Sequence, residues 1–170
     1  MMLTVLSPAR RLLRRCLVLG VAIALWLSLT TPAQAASVDP FIRRYFDAAE
    51  PVALPANAAG ETQLFSADDF AAGKEFFSST CINCHVGGAT LPNPTESLAL
   101  DVLKGATPSR DNIQAIVAFM RQPMTYDGQE VSFWCREVPA TWLSDAEAET
   151  VAAFVLRAAE KAPGWGTSEF

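Results

Sequence analysis

The sequence has little positive charge outside its N-terminal segment. It contains 13 Lys and Arg against 18 Asp and Glu, and four of the basic residues lie before residue 36: Arg10, Arg11, Arg14 and Arg15. If residues 1–35 are removed, nine basic residues remain against 18 acidic ones, so the net charge is −9. Nucleic-acid binding requires clustered Lys and Arg, so the composition argues against a nucleic-acid partner. An acidic surface suits docking on a positively charged partner, or serves solubility alone.

Signals of an enzyme active site are also absent. The sequence shows no spaced carboxylate pair, no nucleophile beside a base and no glycine-rich phosphate loop. The adjacent Asp68 and Asp69 suit the first turn of a helix, where acidic side chains interact favourably with the helix dipole. We therefore expect that the protein is not an enzyme.

Long apolar runs are missing after residue 35. Before that point, the arginines precede an apolar run from Cys16 to Leu29, and Ala33-Gln34-Ala35 forms a small-residue cleavage site. This pattern predicts a secretory signal peptide over residues 1–35, cleaved after Ala35. The apolar run is shorter than the roughly 20 residues of a spanning helix, so we expect no integral membrane segment after cleavage.

Histidine and cysteine are scarce, and they stand together. The only histidine is His85, and it ends the string Cys81-Ile82-Asn83-Cys84-His85. This string has the c-type haem attachment pattern C-x-x-C-H. Two thiols one turn apart can add to the two vinyl groups of one haem, and the next side chain can then bind the iron. The motif therefore predicts one haem c per chain, attached through Cys81 and Cys84, with His85 as the proximal iron ligand.

Two other interpretations of the motif are weaker. A thioredoxin-like C-x-x-C pair occurs near a βαβ pattern, and the sequence contains no alternating strands of that kind. A zinc site could use Cys81, Cys84, His85 and Cys135. Structural zinc ligands come in spaced pairs, however, and the adjacent Cys84 and His85 would converge poorly.

Helical patterns dominate the rest of the chain, so we expect an all-α domain over residues 65–170. Ser66 with Asp69 resembles a capping box, which predicts a helix from Ala67 to Thr80. Ser144 with Glu147 predicts a second helix that ends near Lys161. A third is expected from Ser109 to Gln122, where four apolar residues repeat at helical spacing: Ile113, Ile116, Val117 and Met120.

A glycine predicts where two of these helices meet. Gly73 and Phe77 share one face of the first helix, and Phe154 lies on the apolar face of the last one. A glycine on a helix face permits a close approach, so we expect these helices to cross at Gly73 and Phe154. Residues 36–64 are rich in Ala and Pro, and we expect a loosely packed N-terminal arm there.

These features resemble the class I cytochrome c family, with its N- and C-terminal helices crossing beside one covalently bound haem. A closer likeness is to the low-potential extrinsic cytochrome c of photosystem II, the PsbV family of cyanobacteria and some algae, and to a divergent branch of it. The strings that carry this resemblance are Cys84-His85-Val86-Gly87-Gly88, Asn93-Pro94, Arg110-Asp111-Asn112-Ile113 and Thr125-Tyr126-Asp127-Gly128.

The resemblance implies a place in the thylakoid lumen, peripheral to the membrane, with photosystem II or a lumenal redox protein as the partner. The expected function is one-electron transfer at low potential. The alternatives are a structural subunit of photosystem II and a haem-based sensor of gas or redox state. The tail from Pro163 to Phe170 departs from the glycine-rich, tyrosine-ending tail that family members use in docking.

The sequence also departs from the family at the distal iron ligand, which is a second histidine in typical members. The candidates here are Cys135, Met124 and Met120, in that order, with water or an open site as the remaining alternative. Cys135 is unpaired once Cys81 and Cys84 hold haem, and it stands near the family's ligand position. A thiolate ligand stabilises ferric iron, so Cys135 as the ligand predicts a low reduction potential of the haem. A methionine ligand raises that potential. Met124 follows Pro123 on a loop, and Met120 falls on a helical stripe typical of a core residue.

Overall fold

The computed structural model describes residues 15, 17–21, 39–91 and 96–167. The chain divides into two compact units, Met1–Ser37 and Val38–Phe170. The described residues of the first unit are helical and exposed. The cleavage site at Ala35 lies outside the described residues, so cleavage stays a prediction. In the part of the chain that is described, no helix is both long enough and apolar enough to cross a membrane.

The described residues of the second unit form five α-helices and one β-hairpin. In chain order the elements are α1 (Pro40–Tyr45), β1 (Val52–Pro55), β2 (Thr62–Phe65), α2 (Ala67–Thr80), a 3₁₀ turn (Val86–Gly88), α3 (Leu100–Gly105), α4 (Ile113–Arg121) and α5 (Asp145–Lys161). The strands pair antiparallel, with Val52 opposite Phe65 and Pro55 opposite Thr62. The second unit is therefore mostly helical, and the hairpin, which no part of the all-α prediction included, lies in the segment before α2.

Capping boxes start the two longest helices, as predicted. At the start of α2, the Ser66 hydroxyl accepts the Asp69 N–H at 3.2 Å, and the Asp69 carboxylate accepts the Ser66 N–H at 2.7 Å. At the start of α5, the Glu147 carboxylate accepts the Ser144 N–H at 2.7 Å, and the Ser144 hydroxyl accepts in return. Each pair satisfies backbone donors that have no partner inside the helix. The predicted bounds of α2 and the predicted end of α5 are confirmed.

The helices α2 and α5 cross at Gly73, which confirms the predicted crossing. A Cβ atom on Gly73 would lie 2.6 Å from the carbonyl carbon of Thr150 and 3.0 Å from the Cβ of Phe154. The missing side chain is thus what lets the two backbones approach. The Phe77 and Phe154 rings lie 5.4 Å apart between their centroids, next to the crossing.

The segment before α2 is packed into the core, so the prediction of a loose arm is wrong. Ile42, Phe46 and Leu54 are almost fully buried. The Phe46 carbonyl accepts hydrogen bonds from the buried Arg157 guanidinium, one of them 2.8 Å from Nε. The expectation failed because these residues pack on helices far along the chain, which local composition does not reveal. Where the domain boundary falls stays a prediction.

The helix α4 begins at Ile113, four residues later than predicted, and ends at Arg121. Asn112 caps it, with its side-chain oxygen accepting the Ala115 N–H at 3.0 Å. The preceding residues are held outside the helix because the Arg110 N–H donates to the Leu103 carbonyl at 2.8 Å. The predicted apolar face is confirmed, with Ile113, Ile116 and Met120 buried.

Candidate functional site

The Cys-x-x-Cys-His motif continues directly from the end of α2. The Cys81 N–H donates to the Phe77 carbonyl at 2.8 Å, which closes the last turn of the helix. The Cys81 carbonyl then accepts the N–H groups of Cys84 at 3.1 Å and His85 at 2.9 Å. These bonds make one further turn of chain. They keep the two cysteines one turn apart and set His85 directly after them.

The structure brings Cys135 to the motif. All three cysteines of the second unit are free thiols. Burial first, and then the neighbouring Cys135 and Cys84, raise the pKa of the Cys81 thiol to about 11. Burial and the nearby Cys84 likewise raise the pKa of Cys135, while the Arg110 guanidinium opposes this rise. Cys84 and Cys135 are thus near enough for the charge of one to act on the other, although they are far apart in sequence.

The two methionine candidates occupy different surroundings. Met120 is buried in the hydrophobic core on α4, as its place on the helical stripe suggested. Its carbonyl also accepts the Val138 N–H at 2.8 Å. Met124 is half-buried and pairs with Val131 across a short antiparallel bridge. Met124 therefore lies at the start of the turn between residues 124 and 131, which leads to Cys135. Met120, in contrast, is a core residue.

Arg110 anchors the turn between residues 124 and 131. Its guanidinium donates to the carbonyls of Met124 at 3.0 Å and Thr125 at 2.7 Å. The same group lies 4.1 Å from the centre of the Phe119 ring, which is a cation–π distance. Residues 125–128 form a turn, in which the Gly128 N–H donates to the Thr125 carbonyl at 3.0 Å. These contacts fix the start of the segment that carries Cys135.

His85 is held from the side of the following loop. Its Nδ1 atom lies 3.0 Å from the Thr90 hydroxyl oxygen, and its ring lies 6.3 Å from the Phe77 ring between centroids. Burial lowers the pKa of the imidazole, which favours the neutral ring. Neutral imidazole is the form that binds metals.

The C-terminal segment closes over this loop through Trp165. The indole N–H donates to the Leu98 carbonyl at 3.0 Å, and the ring packs on Phe77 and Phe154 at 5.7 and 5.6 Å between centroids. A Cβ on Gly88 would lie 2.5 Å from the nearest indole atom, Cε2. Gly166 adds a backbone bond to the Gly87 carbonyl at 2.8 Å.

These residues fit a covalently attached haem. Among the described residues, no group of three or more His, Cys, Asp or Glu is arranged to hold a metal ion by itself. A haem needs fewer ligands from the protein, because the porphyrin supplies four of the iron ligands and two thiols attach the porphyrin covalently. Large apolar side chains are exposed in both segments that approach one another: Ile82, Val86, Phe133 and Trp134, the last two 95% and 75% exposed. These side chains are available to cover the apolar faces of a bound haem.

Sequence reasoning assigned no role to three supporting residues. Thr90, Arg110 and Trp165 act through contacts with residues that are distant in the chain or lie in irregular loops. The periodic patterns of helices and strands in a sequence do not predict such contacts. The short spacing of Thr90 from His85, five residues, is the one local signal that could have drawn attention to it.

Comparison with known proteins places this site in context. Residues 45–170 match the family described as the cytochrome c-550 domain. A cytochrome c-550-like protein of Trichodesmium erythraeum (strain IMS101) is 48% identical over 155 residues, which are 91% of this chain and 93% of that protein. The photosystem II extrinsic protein V of Gloeobacter violaceus is 52% identical over 134 residues, or 79% of this chain and 72% of that protein.

A solved structure shares the fold. The crystal structure of the PsbV2 cytochrome from Thermosynechococcus elongatus superposes with a TM-score of 0.75 at 53% identity. The superposition covers 76% of this chain and 99% of that one. The recognised resemblance to this group of proteins is thereby confirmed.

Proposed function

Because the chain belongs to the cytochrome c-550 family, we propose that it is a low-potential c-type cytochrome that carries single electrons and is not an enzyme. A bound haem would supply one-electron redox chemistry at its iron. Cys81 and Cys84 would hold it covalently, and His85 would bind the iron from the proximal side. The observation that carries the proposal is the turn that continues the second helix, in which the Cys81 carbonyl accepts the N–H groups of both Cys84 and His85.

Cys135 is the residue we propose for the distal side. Its thiol lies near Cys81 and Cys84, on a segment that Arg110 anchors. Burial raises the pKa of the Cys135 thiol and the positive charge of Arg110 opposes that rise, so it is the iron that would have to stabilise the thiolate. An anionic ligand stabilises ferric over ferrous iron, so a low reduction potential follows.

We further propose that the protein works on the lumenal side of the thylakoid membrane. The support is the relative named photosystem II extrinsic protein V, together with the predicted signal peptide. The C-terminal segment bears on how it would work there. Residues Trp165 and Gly166 are engaged with the chain's own loop. This use of the tail favours a lumenal carrier over a subunit that docks permanently through its tail.

A Cys135→Ala variant is expected to lose a low-spin thiolate signal in electron paramagnetic resonance of the ferric protein. Its reduction potential should also rise, because an anionic ligand no longer favours ferric iron. Axial ligands set haem potentials over about 0.8 V, so we expect a rise on the order of 0.1 V. Redox titration and the resonance spectrum of the purified holoprotein measure both effects.

Met124→Leu and Met120→Leu provide the matched controls, since each removes one other candidate ligand. Both should keep the wild-type spectrum. If Met124→Leu alters the spectrum and Cys135→Ala does not, the distal assignment is wrong.

Carbon monoxide added during the titration tests the sensor alternative, because rapid binding to ferrous wild-type protein would favour sensing over electron transfer. Co-sedimentation with photosystem II would favour the structural alternative.

A further inference from the structure

The Thr90 hydroxyl makes two hydrogen bonds, and only one of them can use its own proton. Its oxygen lies 2.6 Å from the Glu96 carbonyl oxygen and 3.0 Å from His85 Nδ1. A carbonyl can only accept, so the hydroxyl must donate its single proton to Glu96. The contact with His85 then requires the opposite direction, with the ring nitrogen as donor.

This proton count determines the tautomer of His85. Nδ1 carries the hydrogen and donates it to Thr90, which leaves the lone pair on Nε2. Nε2 is therefore the atom prepared to bind a metal. A hydroxyl that is itself donating to a carbonyl is also a better acceptor, because hydrogen bonds in a chain polarise one another.

The loop that carries Thr90 is tied to its surroundings on both sides. The Leu98 N–H donates to the Gly88 carbonyl at 2.7 Å, and the Leu91 N–H donates to the Cys84 carbonyl at 2.8 Å. Trp165 packs on Gly88 from the other side. Thr90 is thus held at a fixed distance from the ring, and its position does not depend on His85 alone.

We propose that Thr90 is a positioning residue for the proximal iron ligand, fixing the tautomer and direction of His85 and increasing the electron donation of its ring. The inference rests on the proposed function in one respect, that His85 binds haem iron. Partners on the outer nitrogen of a metal-binding histidine orient the ring and raise its basicity. A more basic ligand favours ferric iron, so Thr90 should lower the reduction potential.

Thr90→Val tests this with little change in side-chain volume, because it removes the hydroxyl and keeps the branched shape. We expect the ferric-to-ferrous ratio at a fixed poise to fall about tenfold, a rise in potential of about 59 mV for a one-electron couple. Thr90→Ser keeps the hydroxyl and should stay close to wild type. Thr62→Val makes the same exchange at an exposed position on β2 and should leave the potential unchanged.

A second measurement uses the wild-type holoprotein and remains decisive if Thr90→Val fails to mature. In the ferrous protein, kept low-spin with carbon monoxide if its sixth site is open, nuclear magnetic resonance should show a slowly exchanging Nδ1 proton on His85. That proton should give a nuclear Overhauser effect to Thr90. A rapidly exchanging Nδ1 proton, or a Thr90→Val potential equal to that of wild type, would overturn the role of Thr90.

Failure of the proposed function would look different. Mass spectrometry of the wild-type protein would then show no covalently bound haem, or Cys81→Ala and Cys84→Ala would leave its haem content unchanged. An unchanged potential in Thr90→Val, measured on protein with haem attached, rejects only the role of Thr90.

Discussion

Replacing Gly73 with alanine should destabilise the fold by about 3 kcal/mol, at the upper end of what overpacking costs. The added Cβ would meet the carbonyl carbon of Thr150 at 2.6 Å and the Phe154 Cβ at 3.0 Å. The first of these groups is backbone inside α5, so no side-chain rotation can relieve the clash. The helices must instead separate, and the aromatic contacts between Phe77 and Phe154 would open with them.

Chemical denaturation of the holoprotein measures this loss as a shift in the midpoint at constant slope. Ser78→Ala is the matched control, since it also adds alanine to α2 but on the exposed side. Its free energy of unfolding should stay within about 0.5 kcal/mol of wild type. A Gly73→Ala protein as stable as the control would show that the two helices do not cross where the structure places them.

Trp165→Ala should cost about 3 kcal/mol, because it removes a large ring from the junction of two helices and a loop. Truncating a buried aromatic costs about 3–5 kcal/mol, and the half-buried Trp165 belongs at the low end of that range. The change also leaves the Leu98 carbonyl without the indole donor. Hydrogen exchange should therefore speed up locally at the Leu98 and Gly166 amides, which donate to the carbonyls of Gly88 and Gly87.

Trp142→Ala separates this effect from the general loss of a tryptophan. Trp142 is 55% exposed, and the Arg136 guanidinium lies 5.5 Å from its ring centre. Its removal should cost less than about 1 kcal/mol. If both variants lose the same stability, or if Trp165→Ala leaves exchange at Leu98 and Gly166 unchanged, the C-terminal segment does not hold the loop.

The parts of the fold that could be predicted are those whose signals are local. A capping box such as Ser66 with Asp69 lies within one turn, so the sequence alone located the start of α2. The role of Gly73 could be predicted because residues on one helix face recur every three or four positions, and a glycine on that face permits a second helix to approach closely. The hairpin carried no such signal. Each strand has four residues, and Pro55 interrupts the pattern of β1.

The candidate site divides in the same way. Cys81, Cys84 and His85 lie within five residues, and their order alone predicts covalent haem attachment. Trp165 could not be assigned from the sequence, because its partners are the Leu98 carbonyl before α3 and a ring on α5. Thr90 offered only its short distance in sequence from His85, and its second partner is a carbonyl in an irregular loop. The delayed start of α4 is similar, since the Arg110 N–H is drawn to Leu103 by a contact that no helical pattern anticipates.

The bond between Arg157 and the Phe46 carbonyl bears on how freely this protein can change over evolution. Arg157 is only 8% exposed, and although its Nη1 pairs with the Glu160 carboxylate at 3.1 Å, loss of the Phe46 carbonyl would leave its Nε and Nη2 donors buried without that acceptor. The acceptor, however, is main chain, which every amino acid provides. The N-terminal segment can therefore exchange exposed side chains such as Glu50 without releasing its anchor. Substitution is constrained at Arg157 and along the path of the backbone, and an alignment of side chains alone would overlook the second constraint.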